Sequence, residues 1–181
     1  LQFISPPDFE NPGDSDGDNV YWVAVEANDY HGSQVSQAIA VIVTDANDAP
    51  VITSESYVSV AENSTGIVSL EATDLEGDPI VFQIVGGPDQ GLFDLVDSSL
   101  MFVVAPDYEN PFDVGQNNSY EVQVAAVDDP GNQTVQNISV WVTNLNDNAP
   151  QITSSGGTDM ANLLILENTA AVTMVVATDD D

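Results

Sequence analysis

The feature that most constrains this chain is a repeat about one domain long. Asp45-Ala46-Asn47-Asp48-Ala49-Pro50 returns as Asn144-Leu145-Asn146-Asp147-Asn148-Ala149-Pro150, with the two prolines 100 positions apart. Pro7-Asp8-Phe9-Glu10-Asn11-Pro12 returns as Pro106-Asp107-Tyr108-Glu109-Asn110-Pro111, and Ala27-Asn28-Asp29 as Ala126-Val127-Asp128, both at an offset of 99. Glu62-Asn63 returns as Glu167-Asn168, and Ala72-Thr73-Asp74 as Ala177-Thr178-Asp179, at 105. These periods predict that residues 1–50 are the C-terminal part of one repeat, 51–150 a complete repeat, and 151–181 the N-terminal part of a further one.

Each proline-ended segment lies between strand-like runs, 39–44 and 51–53 in one case, 138–143 and 151–153 in the other. Pro holds the preceding residue extended and removes a backbone donor, so the segment is expected to run on as a short linker rather than turn back. Within 51–150, the runs 68–74, 120–126 and 138–142 alternate apolar and polar residues, the period of a half-buried strand. Residues 51–53, 58–60, 80–85, 92–96 and 100–104 are further strand candidates, with turns at 86–89 and 129–132. About seven strands in about 100 residues predict an all-β, two-sheet sandwich with Greek-key connections. The first piece is expected to carry three late strands (1–4, 20–27, 35–44). The last piece is expected to carry early strands ending near 172–178. Trp141, Phe82, Phe93 and Phe102 fall on strands and are expected to pack in the core.

Composition then narrows the function. With no Lys or Arg and 30 acidic residues, the formal charge is −30, which excludes unaided binding of nucleic acid or an anionic membrane and favours cations. The 43% hydrophobic content is enough for packed cores and excludes a disordered acidic tail. Cys is absent, so disulfides and thiolate metal sites are excluded. No apolar run is long enough to span a bilayer.

The acids recur where strands meet loops: Glu62, the pair Asp107 and Glu109, the alternating Asp74, Glu76 and Asp78, and Asp128. Carboxylates gathered at the end of a lone sandwich repel one another. They make sense beside a hard cation such as Ca2+, which takes roughly six to eight oxygen ligands, more than one linker supplies.

On these motifs the whole chain resembles the cadherin repeat family. The matching segments are Ala61-Glu62-Asn63, Asp74-Leu75-Glu76, Asp107-Tyr108-Glu109, Ala126-Val127-Asp128-Asp129-Pro130-Gly131 and Asn146-Asp147-Asn148-Ala149-Pro150. The resemblance implies tandem seven-stranded, Ig-like Greek-key sandwiches joined by Ca2+-binding linkers, with three ions at each. By that resemblance the first junction uses Asp8 and Glu10, then Asp45, Asn47 and Asp48, then Asp74, Glu76 and Asp128, with Asp78 or its backbone adding an oxygen. The second uses Glu62, Asp107 and Glu109, then Asn144, Asn146, Asp147 and Asn148, then Asp179 and Asp181. Asp29 is expected to serve a junction preceding residue 1. Departures from the family pattern are the first linker, shorter by one residue, Asn144 where the family prefers Asp, and Glu76 where Asp is usual.

Asp14-Ser15-Asp16-Gly17-Asp18-Asn19 alternates acids around Gly like the start of an EF-hand loop, but no Glu follows at the twelfth position. An extra Ca2+ and a plain polar loop both stay open there. Asn63, Asn117, Asn132 and Asn137 open N-glycosylation sequons. No catalytic triad can be built around the single His31, so no enzyme is expected.

The resemblance thus implies a Ca2+-rigidified, structural and adhesive module of an extracellular or cell-surface protein. The cation-free composition is of the kind found in bacterial surface proteins. Its partners are Ca2+, neighbouring repeats of the same chain, and another copy or a surface glycan. Adhesion by exchange of a first-strand Trp has no support, because Trp22 and Trp141 lie on late strands. The alternative is a carbohydrate-binding module of a secreted polysaccharide-degrading protein, which needs an exposed aromatic platform.

Overall fold

The computed structural model describes residues 1–158 and 160–181. It divides into two compact units, Leu1–Asp48 and Ala49–Asp181.

The first unit is built on one antiparallel pair, β1 (Val20–Asn28) and β2 (Gln34–Ile42), in the register Trp22 opposite Ala40. The expected strand at 1–4 is not formed, since those residues find no strand to pair with. Phe3 instead sets its ring edge-on to Tyr21, centroids 5.0 Å apart.

The second unit contains a full sandwich. Its strands are β3 (Val51–Ile52), β4 (Tyr57–Ala61), β5 (Gly66–Ser69), β6 (Ala72–Thr73), β7 (Val81–Gly86), β8 (Phe93–Val96), β9 (Ser99–Phe102), β10 (Ser119–Val127) and β11 (Gln133–Thr143). One sheet runs β4-β11-β10-β7 and the other β5-β9-β8, with the short β3–β6 ladder beside it. β3 and β4 are two stretches of one edge, and the expected strand 68–74 is split into β5 and β6 at Leu70–Glu71. There the Leu70 amide turns to the Ser98 carbonyl (2.7 Å), and the Glu71 carbonyl receives the amide of Thr53 (2.9 Å). Counted this way there are seven strands, with the first, β4, lying parallel to the last, β11. The architecture is the Ig-like sandwich that the strand pattern predicted.

Alternation explains the core. Ile138, Val140 and Val142 of β11 and Tyr120, Val122 and Val124 of β10 point inward and meet Leu70, Phe93, Leu100 and Phe102 from the other sheet. Phe102 sits between Phe93 (5.1 Å, stacked) and Tyr120 (5.0 Å, edge-on). The same parity corrects one expectation. With Val140 and Val142 facing in, Trp141 faces out, and it is 50% exposed. Phe93 and Phe102 are buried as expected, and Phe82 is half-buried against the cluster. Gly87 is required where β7 ends: its φ is +106°, and a Cβ would stand 2.6 Å from the Val122 Cα.

Beyond Pro150 the strand pairing among the described residues is the two-residue ladder of β12 (Gln151–Ile152) with β13 (Ala177–Thr178), followed after β12 by a 3-10 turn at Ser154–Gly156. Expected early strands before 177 are not formed. A strand needs a partner for its backbone groups, and only β12 offers one here.

Candidate metal centre

The sandwich separates the acids onto its two ends. β11, eleven residues and so roughly 35 Å long, runs from the turn that follows Asp128 to the linker that carries Asp147.

At the linker end, Glu62 follows β4 directly and is 2% exposed. Its side chain is anchored from both sides: Oε2 accepts the Tyr108 amide and Oε1 the Leu145 amide, each at 2.7 Å. One carboxylate thus ties the Asp107–Glu109 loop to the linker. Carboxylate oxygens of Glu62, Glu109 and Asp147 lie within 4.8 Å of one another. Asn144 donates its amide to Glu109 Oε1 (3.1 Å), and Asn63 donates to Asp147 Oδ2. Asp107 turns its Oδ1 to the Asn110 amide (3.1 Å). Asn148 gives its backbone amide to Asp181 Oδ2 (2.8 Å) and its side-chain amide to Asp181 Oδ1 (3.2 Å). Asn146 is an exposed linker residue, and Asp179 directly follows β13. Desolvation pushes the Glu109 carboxyl above its ordinary value, and the nearby charges of Glu62, Asp181 and Asp147 add to the shift. No cationic side chain exists in the chain to offset them.

At the opposite end, Asp74 follows β6, and its Oδ1 accepts the amides of Glu76 (3.1 Å) and Asp78 (2.9 Å). Its Oδ2 is buried with no hydrogen-bond partner among the described residues. Asp128, 5% exposed, closes the β10–β11 turn by accepting the amides of Gly131 (2.7 Å) and Asn132 (2.6 Å). Desolvation raises the Asp78 carboxyl, and Asp74, Asp128 and Asp129 raise it further. The Asp78 amide bond to Asp74 and these charges place Asp78 with this group, and Asp129, which the sequence pattern does not mark as a ligand, adds its charge to it.

The first unit repeats parts of both arrangements. Asp8 Oδ1 accepts the amides of Glu10 and Asn11, both at 3.1 Å. The backbone hydrogen bond at Glu10 pulls its carboxyl down, but desolvation and the carboxylates of Asp45 and Asp48 outweigh it, and the group lies above its ordinary value. Asn47 donates its side-chain amide to the Asp48 carbonyl (2.8 Å). Asp29 accepts the amides of His31 (2.8 Å) and Ser33 (3.0 Å); the Ser33 bond matches that of Asp128 to Asn132, while Pro130 stands at the position of His31 and has no amide to give. A separate trio, Asp14, Asp16 and Asp18, also has oxygens within 4.8 Å of one another. There Asp14 accepts the Asp18 amide (2.9 Å), and Asp14 and Asp18 push the Asp16 carboxyl up.

Residues 47–143 match the family described as the bacterial Ig domain. Over 192 aligned positions covering 93% of the chain, the sequence is 31% identical to cadherin-16 of Oryctolagus cuniculus. Over 132 positions covering 66%, it is 33% identical to human protocadherin gamma-A2. The chain belongs to the bacterial Ig domain family and is a cadherin-like repeat protein. It spans 22% and 14% of the length of those two relatives. Solved cadherin structures share its fold. The four N-terminal extracellular domains of Drosophila N-cadherin align with a TM-score of 0.58 at 22% identity, covering 91% of this chain and 42% of that one. Protocadherin gammaB7 domains EC3–6, solved as a cis-dimer, align at 0.56 and 23%, covering 90% and 44%. The domains are of the extracellular cadherin type. No helix among the described residues is long and apolar enough to cross a membrane.

Proposed function

We propose that this segment is a Ca2+-rigidified spacer and adhesion module of a cell-surface or secreted protein, with repeats bounded at 1–50, 51–150 and 151–181. One observation carries the reading: Glu62, Glu109 and Asp147 hold oxygens within 4.8 Å of one another in a chain with no Lys or Arg. Like charges so close are unfavourable unless a cation joins them. The donor set is all oxygen, which suits Ca2+ over softer metals. The orphaned, buried Asp74 Oδ2 supports the same reading at the other end. Bound Ca2+ would be held by Glu62, Asp107, Glu109, Asn144, Asn146, Asp147, Asn148, Asp179 and Asp181 at the second linker. Asp74, Glu76, Asp78 and Asp128 in the complete repeat offer a further ligand set, as do Asp8, Glu10, Asp45, Asn47 and Asp48 in the first unit. The ion neutralises the cluster and fixes the linker, turning a hinge into a strut.

The test is thermal unfolding and calorimetric titration with Ca2+ against EDTA. A Ca2+-dependent rise in melting temperature is expected, and a melting curve indifferent to EDTA would overturn the reading.

A second reading, a glycan-binding module, is favoured by one observation: Trp141 and Tyr57 are exposed on neighbouring strands instead of buried.

A further inference from the structure

We propose that the outer face of the β4-β11-β10-β7 sheet binds a neutral polysaccharide, with Trp141 and Tyr57 as its stacking platform. The proposal rests on the glycan reading and gives it a place and a ligand class.

The argument begins from register. Trp141 stands between Ser59 on β4 and Ser119 on β10, and the next rung of the same face carries Tyr57, Ser139 and Glu121. The small hydroxyl neighbours cannot cover the rings. Trp141 is accordingly 50% exposed and Tyr57 70%. The two aromatics sit on adjacent strands, about 7 Å apart along the strand direction. Below the edge at Tyr57 opens a cleft lined by polar residues, including Ser54, Glu55 and Gln136.

Charge selects the occupant. Along the outward positions of these four strands the acidic character of the chain almost vanishes, and Glu121 is the one carboxylate among Ser, Thr, Gln, Asn, Val and aromatic residues. A chain with no Lys or Arg has nothing to pair with an acidic sugar, a phosphate or a sulfate. The face lacks the acids that would hold a basic partner. Open aromatic faces ringed by hydroxyls, amides and a single carboxylate match a neutral polyol: its C–H faces stack on the rings while its hydroxyls bond the polar groups. In the first unit a single aromatic is exposed on the corresponding face. Trp22, 72% exposed, stands opposite Ala40 on the β1–β2 ribbon, the rung that corresponds to Glu121 and Ser139.

The experiment is affinity electrophoresis of the whole 181-residue chain, made in bacteria so that Asn137 on this face carries no sugar, with Ca2+ present throughout. The gels contain laminarin, galactomannan or alginate. Retardation by a neutral gel and not by alginate is expected, weakened at least tenfold by Trp141→Ala together with Tyr57→Ala. Unchanged melting and Ca2+ response of the variants separate lost binding from lost folding. No retardation in any gel overturns the glycan reading and this face with it. Retardation that survives Trp141→Ala and Tyr57→Ala keeps the glycan reading but overturns the face. Retardation by alginate alone overturns the ligand class. Dimerisation in light scattering that Trp141→Ala abolishes assigns the face to a second copy and overturns the proposal.

Discussion

Residues 1–48 and the complete sandwich share their loops almost bond for bond, yet differ in what they bury. Asn19 donates to the Phe9 carbonyl at 2.8 Å, and Asn118 to the Tyr108 carbonyl at 2.8 Å. Tyr21 Oη accepts the Gly13 amide, and Tyr120 Oη the Phe112 amide. Asp29 and Asp128 close the same turn. Tyr120 and Val124 are nonetheless fully buried, while Tyr21 is half-buried and Val25 is 37% exposed. In the complete sandwich the second sheet, β5-β9-β8, covers β10 and β11, and residues 1–48 contain the pair β1–β2 by itself. Local hydrogen bonding is a property of the motif, and burial is a property of the pair of sheets.

That contrast predicts its own largest test. Phe102→Ala, at the centre of the aromatic stack, should cost about 3–5 kcal/mol, whereas Val25→Ala should cost under about 1 kcal/mol. Equal losses in chemical denaturation would mean that the two ribbons are equally covered in solution.

Next in size is the buried carboxylate against the exposed one. Glu62→Ala strands the Tyr108 and Leu145 amides and should cost on the order of 3 kcal/mol, with faster hydrogen exchange at both. Glu10→Ala, at an exposed position, should leave stability nearly unchanged and alter Ca2+ affinity more than stability. A Glu62→Ala protein with wild-type exchange at Leu145 would break the distinction.

Ca2+ withdrawal comes third. At a free ion concentration 100-fold above Kd, each site should add roughly 2.7 kcal/mol. Asp147→Ala should remove binding at the second linker and leave the rest of the Ca2+ response in place, which the stoichiometry in calorimetry reads directly.

The smallest effect is on pH. Glu109 and Glu10 both have raised carboxyls, so the folded state favours their protonated forms. In EDTA their contribution to stability is present below the ordinary carboxylate range and is lost as pH rises through the raised values. The metal-free protein should therefore melt slightly higher when acidified from neutrality into the upper carboxylate range. With Ca2+ the sign reverses, because protonation removes ligands. Melting scans at two pH values, with and without EDTA, check both signs.

The repeat, the strands of 51–150 and the loop acids were legible because each depends on short-range rules. Period-2 alternation marked β10 and β11, Pro and Gly marked the breaks, and Asx-type hydrogen bonds of Asp8, Asp74 and Asp128 are made within four residues. The misreadings came where that reasoning was carried past its range. Trp141 was assigned to the core for being aromatic, although its parity with Val140 and Val142 already placed it outside. Apolar content alone predicts strands at 1–4 and near 172–178, but a strand also needs a partner, and only Ala177–Thr178 finds one. Asp129 offered no periodic signal, and only its position beside Asp78 exposes it.

The sequence by itself determined the period, the alternation and the turn chemistry, since these are set by backbone sterics and by donors and acceptors a few residues apart. Tertiary structure decided the rest. Glu62 joins the 108 and 145 segments across 46 and 83 residues of chain, and the carboxylates of Glu62, Glu109 and Asp147 meet only because β4 and β11 lie side by side. The cover over β10 and β11 comes from a sheet stacked roughly 10 Å away, a distance that no run of neighbouring residues encodes.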